Sequence, residues 1–260
     1  MDWITEHRFL QAAKWGRVEE VKEILRDHPN IDVNWKDEKA YATAALLLAC
    51  QNGHDAVVTM LLAHPDIDVN QMNDDGWTPF LIASFNGHSS CAGLLLKDPR
   101  VITRNPNQSG STPLRRAVIN GCLGVVKVWI ASGREMDLGE LGDGRTDALQ
   151  VAKERGMATL LERFKEDPEE TRHQVRVNLG WYDEAAAEMF ALVVFVSDGL
   201  LDIKTQAVAI ASPAASVFTI ARQLPMELQQ VLCFRMVGSA KEIILGVNKT
   251  LAFKDLARRY

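Results

Sequence analysis

Cysteine is scarce and scattered in this chain of 260 residues. Cys50, Cys91, Cys122 and Cys233 form no C-x-x-C pair and no Cys/His cluster at zinc-finger spacing. That argues against a metal-stapled or disulfide-stapled scaffold and for small buried thiols in a reducing compartment. Long apolar runs are also lacking. The longest of interest, Met189 to Val196, is flanked by Glu188 and Asp198, well short of the roughly 20 residues a membrane span needs. An excess of positive charge is missing too: 29 basic residues face 34 acidic ones, for a formal net charge of −5. Phosphate-backbone binding relies on a basic surface, so no nucleic-acid partner is expected. The N-terminus has neither a basic segment nor an apolar one of a secretory leader. A cytoplasmic location is expected, with the nucleus second. The sequons at Asn107 and Asn248 then read as chance.

Catalytic signatures are equally thin. No Walker A sequence, H-E-x-x-H or G-x-S-x-G is present. The glycine-rich Gly139-Glu-Leu-Gly142-Asp-Gly144 lacks a preceding strand and the third-glycine spacing of a dinucleotide loop. It reads as an irregular hairpin. No catalytic residue, metal or cofactor is expected.

What the chain does have is self-similarity. The segment His28-Pro-Asn-Ile-Asp-Val-Asn34 returns 36 residues later as His64-Pro-Asp-Ile-Asp-Val-Asn70. Gly16, Gly53, Gly87, Gly121 and Gly156 each follow a short apolar run, at spacings of 37, 34, 34 and 35. A period near 34 predicts a solenoid of helical hairpins. Thr78-Pro79 and Thr112-Pro113 predict helix starts, because threonine caps and proline fits the first turn. The turn glycines predict left-handed helix stops. Val57, Val58, Leu61 and Leu62, and likewise Val125, Val126, Trp129 and Ile130, predict second helices with one buried stripe.

The residues also resemble a known family. Gly76-Trp-Thr-Pro-Phe-Leu-Ile-Ala83 followed by Asn86-Gly87-His88, and Gly110-Ser-Thr-Pro-Leu-Arg-Arg-Ala117 followed by Asn120-Gly121, are similar to the ankyrin consensus. Asp32-Val-Asn34 and Asp68-Val-Asn70 resemble the close of its loop. The resemblance implies an all-α ankyrin-repeat solenoid, with helix-turn-helix repeats and β-hairpin loops. About five repeats would span residues 4–164 within a domain of 1–165. His54 and His88 stand where the family's histidine is structural. Asn34 and Asn70 stand where asparagine hydroxylation is seen in other ankyrin proteins, although a structural bond to the loop backbone is the stronger reading.

Departures from the pattern carry predictions of their own. The first repeat lacks Thr-Pro and begins at Glu6. Ala44-Ala45 replaces Thr-Pro in the second, which predicts a different start for that helix. Arg115 replaces the histidine in the fourth. The fifth runs from Thr146 and closes on Leu160, Leu161 and Phe164 as a cap.

Residues 166–180 are charged and read as a linker or an exposed helix end. Residues 181–260 read as a small helical C-terminal domain, with helices over 182–201, from Ser212, from Pro225 and over 251–260. Leu224-Pro-Met-Glu-Leu228 is similar to the opening of an F-box. The function expected is a non-catalytic interaction module, taken to be monomeric, holding a protein or peptide on the concave face. By family register that face carries Lys14, Trp15, Tyr41, Gln51, Asn52, Asp74, Asp75, Trp77, Phe85, Asn86, Gln108, Ser111, Ile119 and Asn120. Trp77 and Phe85 lead it, since aromatics concentrate at interface hot spots. Trp15 is the more easily tucked away. The alternative is a substrate-recruiting adaptor of a ubiquitin ligase, with Leu224, Pro225 and Leu228 as its contact.

Overall fold

The computed structural model describes residues 3–37, 42–136, 138, 152, 157–182, 186–187, 189, 229 and 232–233. The chain divides into two units, Met1–Val175 and Arg176–Tyr260. In the first, four helical hairpins follow one another. They are α1 (Trp3–Lys14) with α2 (Val18–Asp27), α3 (Ala45–Asn52) with α4 (Asp55–Leu62), α5 (Pro79–Asn86) with α6 (Ser89–Lys97), and α7 (Pro113–Ile119) with α8 (Leu123–Ser132). Then come α9 (Ala158–Glu166) and α10 (Pro168–Asn178). The first helices pack in the series α1, α3, α5, α7, and the second helices in the series α2, α4, α6, α8. The result is two parallel rows, one layer of helices on another.

Both rows bury large side chains: Phe9, Leu46, Phe80 and Leu114 on the first helices, and Ile24, Leu61, Leu95 and Trp129 on the second. The first helices add a series of buried alanines, Ala12, Ala13, Ala45, Ala49, Ala83 and Ala117. Trp129 meets Phe80 edge-on, with ring centroids 4.9 Å apart. No hairpin buries both its faces alone, so stacking supplies the core.

The helix ends follow the sequence signals. The Thr78 hydroxyl accepts from Leu81 N at 3.1 Å, and the Thr112 hydroxyl from Arg115 N at 3.4 Å. Gly16, Gly53, Gly87 and Gly121 take φ of 66°, 73°, 76° and 72°. At Gly16 and Gly53 a second constraint applies. A Cβ at Gly16 would meet His54 Nδ1 at 2.5 Å, and one at Gly53 would meet His88 Nδ1 at 2.6 Å.

Two expectations need revising. The helix after Ala44 starts in the ordinary way: Ala44 has φ −96° and ψ 165°, close to Thr78 at −89° and 162°. Only the capping bond is lost, because Ala44 and Ala45 are buried and packing holds the start. The hairpin loops are tight turns, and among the described residues the single β-bridge is Asp37 with Thr43. Of the two readings of charged segment 166–180, linker or exposed helix end, the helix is the one seen: α10 covers Pro168–Asn178 and buries Thr171 and Val175 one turn apart.

The first helix of the fifth repeat lies outside the described residues, apart from the buried Ala152. Its second helix, α9, buries Leu161 and Phe164. In the second unit the described residues Trp181, Tyr182, Ala186, Ala187, Met189, Gln229, Leu232 and Cys233 are helical. The predicted helices from Ser212 and over 251–260 lie outside the described residues, as do Leu224, Pro225 and Leu228.

Gly121 tests the two constraints separately, since among the described residues nothing lies within 4 Å of a Cβ built there. Gly121→Ala should lower stability by the backbone strain alone, about 1–2 kcal/mol. Gly53→Ala should cost distinctly more, and urea unfolding of the pair measures the difference. Ala44→Thr should restore the missing cap and raise stability by about 0.5–2 kcal/mol in the same assay.

Candidate functional site

Each first helix ends in carbonyls that its own turn cannot satisfy. The next repeat reaches back for them. His54 Nε2 lies 2.9 Å from Lys14 O, and His88 Nε2 lies 3.1 Å from Gln51 O. A carbonyl only accepts, so Nε2 carries the proton in both rings. Cys122 takes the same place in the fourth repeat, its thiol 3.7 Å from Phe85 O. Asn86 Nδ2 donates to Gln51 O at 3.1 Å, and Asn120 Nδ2 to Phe85 O at 2.7 Å. These two asparagines, expected on the binding face, therefore commit an amide hydrogen to the stack. Asn52 differs, donating to Leu48 O of its own helix.

The turns that precede α5 and α7 are built alike. Asn73 Oδ1 accepts from Asp75 N and Trp77 N at 3.1 and 2.9 Å. Asn107 Oδ1 accepts from Ser109 N and Ser111 N at 3.1 and 2.9 Å. Gln108 joins the two turns, its backbone N donating to Asp75 O at 3.1 Å and its side chain to Asp74 O. A Cβ at Gly76 would meet Gln108 N at 2.9 Å, so glycine lets the turns stack.

Trp77, half-buried, stands at the foot of its turn and packs edge-on against Phe85, with centroids 5.1 Å apart. Arg116 on α7 completes the cluster. Its guanidinium carbon lies 5.6 Å from the Trp77 ring centre and 5.8 Å from that of Phe85. Sequence reasoning missed Arg116. The signal was there: at the matching place α3 carries Leu48 and α5 carries Ile82.

The other expected residues divide. Asp74, Asp75, Gln51, Asn52 and Gln108 are exposed, and Lys14 and Ile119 are half-buried. Trp15 is 60% exposed, the opposite of the tucked position expected, with Lys14 Nζ 5.5 Å from its ring centre. Ser111 is a correction. It is 1% exposed, held beneath the turn with its hydroxyl accepting from Arg115 Nη1 at 3.2 Å, and it offers a partner no surface. Tyr41 lies outside the described residues.

Comparison with known proteins bears on this geometry. Residues 9–105 and 46–140 match the family model "Ankyrin repeats (3 copies)", overlapping matches that together take in just over half of the chain. The chain belongs to the ankyrin-repeat family. It is also 49% identical over 41 residues to the ankyrin repeat protein YahD of Escherichia coli (strain K12), a stretch of 16% of this chain and 20% of that protein. The chain thus spans about a fifth of that relative's length. Ankyrin repeats are generally protein–protein interaction modules and are typically non-catalytic.

Within this ankyrin array the loop asparagines are structural struts. Asn34 Nδ2 donates to Asp66 O at 2.7 Å while its Oδ1 accepts from Asp68 N at 2.8 Å. Asn70 repeats the bridge, to Arg100 O and from Ile102 N, both at 2.8 Å. Arg104 stands at the equivalent place in the next loop and instead pairs with Glu135 at 3.0 Å. The thiols are equally quiet. Burial raises the Cys50 pKa well above its usual value, and burial together with a bond to Asp55 does the same for Cys91. Burial pushes Cys233 up to about 11. Among the described residues no cluster of three His, Cys, Asp or Glu could hold a metal ion. None of the helices there is long and apolar enough to cross a membrane.

Asn70→Ala removes two bridging bonds and should lower stability by about 1–3 kcal/mol. Arg104→Ala loses an exposed ion pair and should lower it by less than about 1 kcal/mol. Urea denaturation of the two variants against the parent checks the contrast.

Proposed function

We propose that the ankyrin array binds a protein or peptide partner, without catalysis, on the concave face formed by the first helices and their turns. The observation that carries this reading is the Trp77–Phe85 pair, half-buried and flanked by the exposed Asp74 and Asp75. A large ring left partly in water on a rigid scaffold is a ready hot spot, because it is ordered before binding. The non-catalytic half draws support from the family and from the structural use of the histidines, since His54 and His88 each direct Nε2 to a backbone carbonyl of the preceding repeat. We place the protein in a reducing compartment, the cytoplasm first, on the strength of four free thiols.

Truncating the two rings leaves the backbone bonds at Phe85 O intact. In a pull-down from a native extract, the double variant Trp77→Ala with Phe85→Ala should lose bound partners by about tenfold or more, the scale of one hot spot. If every partner survives at unchanged affinity, this face is not the site.

A further inference from the structure

The arginine over the two rings differs from most of the others described, although Arg176 also lies over a ring, that of Trp181. Arg8, Arg17, Arg26, Arg100, Arg104 and Arg172 all sit beside a carboxylate. Arg134 donates to the carbonyls of Asp98 and Val101. Arg116 has neither kind of partner among the described residues; its Nε is buried with no acceptor, as are those of Arg115 and Arg172. What it has is two aromatic faces. These restrict the guanidinium to one place without using its N–H fork, since ring faces attract the cation through their quadrupole.

We propose that Arg116, on the shelf of Trp77 and Phe85, is a carboxylate-reading subsite for an acidic protein segment, an Asp or Glu flanked by an apolar residue. This rests on the concave face being the docking surface. A planar guanidinium laid on two rings, without an ion pair among the described residues, fits a carboxylate bidentately through its two Nη groups, and the rings beside it fit an apolar neighbour. The exposed Asp74 and Asp75 on the Trp77 turn oppose a polyanion such as nucleic acid, which would lay a row of charges across them. A single carboxylate meets the arginine at contact distance, where its bonds are short-range and the aspartates are partly screened.

The probe is a phage-displayed library of random 12-residue peptides, selected on the purified full-length chain. Enriched peptides are then resynthesised with each Asp or Glu changed to Asn or Gln. The expected result is an enriched Asp or Glu next to an apolar residue. Neutralising it should weaken binding about tenfold or more on the parent, and hardly at all on Arg116→Gln. Arg116→Glu should select Lys- or Arg-bearing peptides instead. Thermal unfolding of each variant separates lost binding from lost fold. Peptides that need Trp77 and Phe85 but ignore Arg116→Gln overturn the carboxylate subsite and leave the docking face standing. Peptides indifferent to the ring truncations, or no enrichment at all, overturn both.

Discussion

The stack depends on the space left by a missing Cβ. At Gly16 and Gly53 the backbone turns through a left-handed conformation, and the imidazole of the following repeat fills the volume a side chain would have taken. From there the ring reaches the last carbonyls of the first helix. One glycine thus ends a helix, admits the next repeat and exposes the acceptor that ties the two together. Buried alanines on the first helices, Ala12, Ala13, Ala45, Ala49, Ala83 and Ala117, accompany that tie, and large side chains of both rows, such as Phe80 and Trp129, fill the core between the layers.

Coupling between repeats is therefore short-range and redundant. Among the described residues each junction from the first repeat to the fourth has a back-reaching side chain at the first helices, the third and fourth repeats add stacked turns, and the early repeats add an asparagine strut in the loop. Individually these are bonds worth about 0.5–1.5 kcal/mol. Their effect on stability is cooperative because a solenoid is close to a one-dimensional chain of nearest-neighbour terms. This explains why substitutions in the pattern are tolerated. Cys122 makes a longer, weaker bond than His54 or His88, yet Asn120 donates to the same carbonyl. Ala44 forgoes a cap that Thr78 has, yet the helix begins at the same point because its first residues are buried.

Much of this was legible in the sequence because it is written in local chemistry at a fixed period. Thr-Pro, the turn glycines and the paired loop copies each report a backbone requirement that no distant contact can override. Legibility failed where position in the period does not settle exposure. Trp77 and Ser111 share a register position, but one is a ring spread against Phe85 and the other a small hydroxyl folded under Arg115. Trp15 was misjudged for a related reason: it stands in the register of Asn52, Asn86 and Asn120, all exposed, and a ring at that position stays in water as they do. Arg116 escaped notice because arginine on a short helix reads as solvated surface. Only the geometry puts it over two rings that come from an earlier repeat.

That placement is a poor choice for stability alone. Leu48 and Ile82 show what the site accepts when packing is the only requirement. Arginine there brings a cation–π contact worth about 0.5–2 kcal/mol. Against it stands a buried N–H without an acceptor, whose loss of solvation costs about 1–3 kcal/mol. The two terms at best cancel, so the rings do not hold the arginine for the sake of the fold. They do hold it still. A guanidinium already ordered and partly stripped of water has less to lose when a carboxylate arrives, and the carboxylate supplies acceptors for the Nη groups that the rings cannot. It is this ordering, and not relief of the buried Nε, that would favour a partner's acid there.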